Sequence, residues 1–134
     1  MAPLHTIEGI GPAYAAKLTA LGIRTPGALL QAGNTKTGRQ KLAKESEITE
    51  KLILEWVNHA DLFRIKGVGS EYADLLEATG VDTVPELATR IPENLYAKMM
   101  EINEKKKLVR KMPTSDQVAG WVDQAKKLPR VIEY

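Results

Sequence analysis

The residues whose types and spacing could do chemistry lie in two short segments, Ile7-Glu8-Gly9-Ile10-Gly11 and Ile65-Lys66-Gly67-Val68-Gly69. In each, two glycines alternate with apolar residues and run straight into an amphipathic stretch. Glycine adopts backbone angles that other residues avoid and lets a second group come close, so such a turn can aim main-chain N–H groups outward. At a helix start these groups lack intrahelical partners, and the helix dipole favours an anion beside them. The chemistry on offer is the holding of a phosphate.

The charges around the two segments pull in both directions. Lys66 lies inside the second and Lys17 one helical turn beyond the first, both favourable to an anion. Glu8 sits inside the first, and Glu71 and Asp74 open the stretch after the second; carboxylates there satisfy the dipole themselves and repel phosphate. Further cations cluster at Lys36, Arg39, Lys41 and Lys44, and at Lys105, Lys106, Lys107, Arg110 and Lys111. These could add phosphate contacts whose strength falls with salt, or simply solvate a helical face that Glu45, Glu47, Glu101 and Glu104 share.

Other reactive side chains give weaker patterns. Trp56 and Trp121 could stack on unpaired bases, but both recur inside apolar stripes, which points to a core role, and Tyr14 and Tyr72 follow the same logic. His5 and His59 are the only histidines and have neither a nucleophile nor metal-ligand spacing around them. No spacing singles out an acid–base pair of carboxylates, and the lack of cysteine excludes disulfides, thiolate chemistry and cysteine-ligated metals. The expectation is a protein that is not an enzyme and carries no cofactor or bound metal.

The elements that must position these turns repeat. A constant offset of 58 residues carries Ile7, Gly9, Gly11, Tyr14, Ala15, Leu18, Gly22, Thr25 and Leu29 onto Ile65, Gly67, Gly69, Tyr72, Ala73, Leu76, Gly80, Thr83 and Leu87. Later in each half an offset of 65 residues carries Trp56, Val57 and Ala60 onto Trp121, Val122 and Ala125. In both copies a short amphipathic helix follows the turn and ends at Gly22 or Gly80. Thr25-Pro26 and Thr83-Val84-Pro85-Glu86 then open a second helix, the latter with the spacing of a capping box. A longer helix is predicted from Pro92 to about Lys107, with Leu95, Met99, Ile102 and Lys106 on one stripe, and a shorter equivalent from Gly38 to Lys44. Closing helices are predicted over 50–60 and over 115–128, the second started by a capping box at Thr114-Ser115-Asp116-Gln117.

Composition agrees with a helical chain. Its 134 residues are 43% hydrophobic and only 5% aromatic, rich in Ala, Leu, Lys and Glu, which favours helices over sheets. The fold class expected is all-α, with residues 1–62 and 63–134 as two tandem repeats packed into one compact pseudo-twofold domain, since residues 61–64 contain no flexible spacer. The 19 basic and 17 acidic residues leave a net charge of +2, so any polyanion binding depends on where the charges sit. No leader pattern and no bilayer-length apolar run is visible, which makes a soluble, cytoplasmic protein with no membrane partner the expectation.

The apolar-x-Gly-apolar-Gly segment leading into a helix resembles the hairpin of the helix-hairpin-helix family, and both copies match. That resemblance implies sequence-independent binding of DNA backbone, with N–H groups presented by Gly9, Gly11 and Ala13 and by Gly67, Gly69 and Glu71. It further implies that the carbonyls of His5, Ile7 and Ile10, and of Phe63, Ile65 and Val68, could hold a monovalent cation. Over residues 4–129 the chain resembles an uncharacterised domain-of-unknown-function family of tandem helix-hairpin-helix proteins, which supplies a fold and no activity. Two departures are visible: Met1 to Thr6 is too short for a normal helix before the first hairpin, and the loop and aspartate of the base-excising relatives are missing.

Two functions therefore stand side by side. One is a non-enzymatic module that binds nucleic acid non-specifically through the hairpins, assisted by Lys17, Lys66, Lys105, Lys106 and Lys107. The other is a protein-interaction or assembly domain whose hairpins serve only to join helices.

Overall fold

Threonine and proline mark where most helices begin in the computed structural model, which describes residues 3–134. After a single 3-10 turn at Leu4–Thr6 come α1 (Pro12–Ala20), α2 (Pro26–Gly33), α3 (Lys36–Ser46), α4 (Glu50–Leu62), α5 (Ser70–Ala78), α6 (Val84–Ala88), α7 (Pro92–Lys106) and α8 (Ser115–Lys127). The fold is all-α, with no strand among the described residues. No helix among them is long and apolar enough to cross a membrane.

Threonine hydroxyls do the capping. Thr25 Oγ1 accepts from the Ala28 N–H at 3.1 Å and Thr35 Oγ1 from the Gly38 N–H at 3.0 Å. The second of these starts α3 at Lys36, two residues ahead of the predicted Gly38. At Thr114 the predicted box is complete: its hydroxyl accepts from the Gln117 N–H, while Gln117 Oε1 accepts from the Thr114 N–H at 2.8 Å. At Thr83 only half of the predicted box forms. Its hydroxyl accepts from the Glu86 N–H at 3.4 Å, but the Glu86 carboxylate turns to Arg90, with contacts of 3.0 and 3.2 Å. An ion pair one helical turn ahead outcompetes a neutral backbone donor one turn behind.

The predicted helix ends at Gly22 and Gly80 close in the same way. Ile23 N–H donates to Leu18 O and Gly22 N–H to Thr19 O at the first; Val81 N–H donates to Leu76 O and Gly80 N–H to Glu77 O at the second. Both are the double-bonded helix terminus that a left-handed residue permits, with φ of 84° at Gly22 and 100° at Gly80. The apolar pairs that accompany it, Leu18 with Ile23 and Leu76 with Val81, are buried.

Two compact units divide the chain. The first runs up to Asp61 and also takes in Val131–Tyr134; the second is Leu62–Arg130. In the first, α2 packs on α3, and Leu18, Leu29, Ile53 and Val57 are fully buried. Gly33, the last residue of α2, lies so near α4 that a β-carbon on it would stand 2.6 Å from Val57 Cγ2. The segment Val131–Tyr134 binds this unit through main chain and side chain: Glu133 N–H donates to Asn34 O at 2.7 Å, Arg39 to Glu133 O at 2.7 Å, and Tyr134 hydroxyl to Asn58 Oδ1 at 3.1 Å.

In the second unit α8 packs on α6 and α7, and α5 on α7, around Leu75, Leu76, Leu87, Met99, Val118 and Trp121. Each such Leu, fully withdrawn from water, contributes roughly 1.5–3 kcal/mol. Lys106, expected on the buried stripe of α7, is exposed. It falls in the last turn beside Lys105, where a cation opposes the negative end of the helix dipole.

Candidate functional site

The two glycine segments fold alike. Ile10 N–H donates to Ile7 O and Val68 N–H to Ile65 O, both at 3.2 Å, closing a tight turn in each. Within the turn Gly9 has φ 92° and Gly67 φ 94°, values that favour glycine. Gly11 and Gly69 then lie extended, and their carbonyls accept the first helical bonds, from Ala15 and Ala73, at 2.9 Å each.

Beneath each turn lies a tryptophan. A β-carbon at Gly9 would stand 3.2 Å from Trp56 Nε1, and one at Gly67 3.0 Å from Trp121 Nε1. Trp56 in turn meets Tyr14 at 5.1 Å between ring centroids, tilted by 59°, and Trp121 meets Tyr72 at 5.3 Å, tilted by 48°. The indoles are 2% and 3% exposed, so they support the turns from inside and have no open face for a base. Glycine is thus required twice over at the centre of each turn, by φ and by the closeness of the indole.

Neither α1 nor α5 receives a side-chain hydrogen bond from its N-cap, which is glycine in both. The first turn of α1 contains no acidic residue, while that of α5 contains Glu71, which is exposed. Pro12, at the first position of α1, has no N–H and costs the helix nothing there. Glu8 and Lys66 occupy equivalent exposed positions in the two turns and give them opposite charge.

The second turn has a support that sequence reasoning missed. The Gln124 side-chain amide pairs with the main chain of Lys66, accepting its N–H at 2.9 Å and donating to its carbonyl at 3.2 Å. Gln124 lies three residues past Trp121 on α8, so the signal was the turn-facing stripe that the recurring tryptophan defines. The offset of 65 residues puts His59 in the corresponding place on α4, buried at 2% exposure.

The candidate residues fall into separate groups. Gly9, Gly11, Ala13 and Lys17 share the first turn and α1, with Ala13 and Lys17 exposed; Lys66, Gly67 and Gly69 share the second turn. Lys105, Lys106 and Lys107 are exposed at the C-terminal end of α7, where Lys107 turns left-handed with φ 50°. Asn103 holds the following chain by two bonds to Val109, and Tyr72 hydroxyl donates to Lys111 O at 3.1 Å. That last bond brings the main chain of the basic segment to the helix behind the second turn. Lys105 itself pairs with Glu101 at 3.5 Å on an exposed surface, an interaction of small energetic weight.

Of the carbonyls considered for a cation, those of Ile7 and Ile65 already accept the turn-closing N–H groups, leaving each one further lone pair. His5 is exposed and Phe63 half-buried, while Ile10 and Val68 are core residues. No grouping of three or more His, Cys, Asp or Glu side chains suited to a metal ion occurs among the described residues.

A family described as "Domain of unknown function (DUF4332)" matches residues 8–128 of the chain. No curated protein and no solved structure matches it.

Proposed function

The chain belongs to this family of unknown function, and we propose that its glycine turns are the hairpins of two helix-hairpin-helix elements that hold nucleic-acid backbone without reading its sequence. One observation carries the reading. Helices α2, α3, α6 and α8 are each capped by their own threonine; α1, α5 and α7 have no side-chain cap, and of these α1 and α5 are reached through a glycine turn. An N-terminus whose N-cap residue supplies no side-chain acceptor suits an anion, which its N–H groups and dipole both favour. Gly9, Gly11 and Ala13 present the N–H groups of the first site, and Gly67, Gly69 and Glu71 those of the second. Lys17 and Lys66 supply nearby positive charge, and Lys105, Lys106 and Lys107 extend it. No bond is made or broken, and no cofactor takes part.

Fluorescence anisotropy with labelled duplexes of unrelated sequence tests this reading. The expected result is similar affinity for each duplex and a linear fall of log affinity with log salt, each neutralised phosphate adding a slope of about −0.9. Folded protein that leaves every duplex unbound at low salt overturns it.

A second reading, assembly with another protein through turns that only join helices, draws on the Gln124 bonds to Lys66 and on the exposed Glu8 and Glu71. The Lys66 N–H is already occupied, and the carboxylates repel phosphate. This reading expects a complex whose stability survives high salt, a result opposite to that of the first.

A further inference from the structure

The first unit contains a buried charge that no side-chain carboxylate among the described residues answers. Arg39 is 5% exposed, yet its guanidinium donates to two carbonyls, Gly33 O at 2.9 Å and Glu133 O at 2.7 Å, and lies 5.9 Å from the centroid of the Tyr134 ring. No carboxylate pairs with it among the described residues. Carbonyl dipoles and an aromatic face offset part of the cost of burying a guanidinium, but they do not neutralise it.

Arg39 lines an open cavity of about 360 Å³ together with Lys36, Glu50, Lys51, Leu54 and Tyr134. Lys36 and Lys51 are exposed, and neither ammonium group has an ion-pair partner among the described residues. Three cationic side chains therefore face one acidic side chain, Glu50, across a space at the small end of ligand pockets. Lys36 is also the first residue of α3, at the positive end of that helix. The other wall is apolar and flat, made by half-buried Leu54 and by the Tyr134 ring, which is 60% exposed.

We propose that this cavity binds a nucleoside phosphate, with the phosphate between Lys36, Lys51 and Arg39 and the base against Tyr134 and Leu54. The phosphate supplies the counter-charge that Arg39 lacks, and the base covers an aromatic surface on which any base can stack. The same chemistry is offered by a free nucleotide and by the phosphorylated end of a nucleic-acid strand. The site is separate from the glycine turns and stands whether or not they bind backbone.

Titration of the isotope-labelled full chain by NMR at low salt, with AMP, adenosine, inorganic phosphate and a 5′-phosphorylated single strand as probes, tests the assignment. AMP is expected to shift the resonances of Lys36, Arg39, Lys51 and Tyr134. The double variant Lys36→Ala/Lys51→Ala should weaken AMP by about tenfold or more, as loss of two charge-assisted contacts requires. Tyr134→Ala should weaken AMP by about fivefold and leave phosphate within about twofold, because a stacking contact is removed and the charges are not. Lys36 and Lys51 are exposed and without ion-pair partners among the described residues, so the double variant keeps the fold. Tyr134→Phe, which loses the hydroxyl bonded to Asn58 and keeps the ring, separates anchoring of the segment from stacking, and far-ultraviolet circular dichroism checks each variant. The tighter binder of AMP and the strand identifies which source the site serves. Absence of AMP-dependent shifts at these residues, or an AMP affinity unchanged in the double variant, overturns the proposal. Lys126→Ala, at an exposed lysine of α8 outside the cavity, should leave AMP binding unaltered; a loss there as large as in the double variant would show general charge attraction without a site and overturn the proposal equally.

Discussion

The two glycine turns share a backbone and differ in almost every charge. Their central glycines have φ of 92° and 94°, their indoles approach to 3.2 and 3.0 Å of a virtual β-carbon, and their Tyr–Trp pairs stand 5.1 and 5.3 Å apart. Against that sameness Glu8 stands where the other has Lys66, and buried His59 corresponds to half-exposed Gln124. The difference teaches which part of the motif packing controls. Glycine, the apolar flanks and tryptophan meet inside each unit, where small errors of volume are felt. The solvent-facing positions carry no such constraint, so an identical turn can hold either sign of charge.

That comparison can be broken or sharpened, beginning with the largest expected effect. Trp56→Ala and Trp121→Ala should each cost about 3–5 kcal/mol in urea-induced unfolding, since each empties the space beneath a turn. A small loss at one and a large loss at the other would end the equivalence of the two supports. Gly9→Ala and Gly67→Ala should each destabilise by at least about 1–2 kcal/mol, from the left-handed backbone alone, with crowding of the indole added. The same unfolding measurement reads them, and unequal losses would show that the turns differ in more than charge.

Gln124→Ala should cost about 0.5–1.5 kcal/mol, because its bonds to Lys66 lie at a partly solvated surface where water replaces them. Amide hydrogen exchange at Lys66 should speed up while exchange at Glu8 stays as it was; a matching change at Glu8 would refute a support confined to the second turn. Smallest in stability are the charge exchanges. Glu8→Lys and Lys66→Glu should each stay within about 0.5 kcal/mol of the parent, as exposed substitutions do. Under the phosphate reading they move DNA affinity in opposite directions, Glu8→Lys strengthening and Lys66→Glu weakening it, as anisotropy at fixed low salt would report.

Much of the local structure was legible in the chain. Threonine before proline announced α2, the Thr114–Gln117 spacing announced a complete capping box, and Gly22 and Gly80 announced helix ends. These signals are local, since the donor and acceptor lie within one turn and no distant residue competes for them. Where a competitor existed, the pattern misled. Thr83 and Glu86 have the spacing of a box, but Arg90 lies one turn onward and takes the carboxylate. Lys106 falls on the period of the α7 stripe, but at the helix end, where the stripe no longer meets the core.

The candidate site divides in the same way. Which glycines form the turns, and that a helix starts directly after each, followed from residue type and from the repeat. That tryptophan supports each turn, that Gln124 pairs with Lys66, and that Tyr72 reaches Lys111 did not, because these partners are distant in sequence and their meeting depends on how helices pack. Arg39 is the clearest case. In the chain it is one of four basic residues on a polar stretch, and in the fold it is buried, bonded to Gly33 O and to Glu133 O and faced by Tyr134.

The sequence by itself thus determined an all-helical chain, its two glycine turns and the residues that start and stop its helices, because backbone preference and capping act over a few residues. Tertiary structure alone decided that the indoles lie beneath the turns, that Val131–Tyr134 joins the first unit, and that Arg39 loses its solvent. Burial and long-range hydrogen bonding are properties of packed surfaces, and no spacing along the chain encodes which surfaces meet.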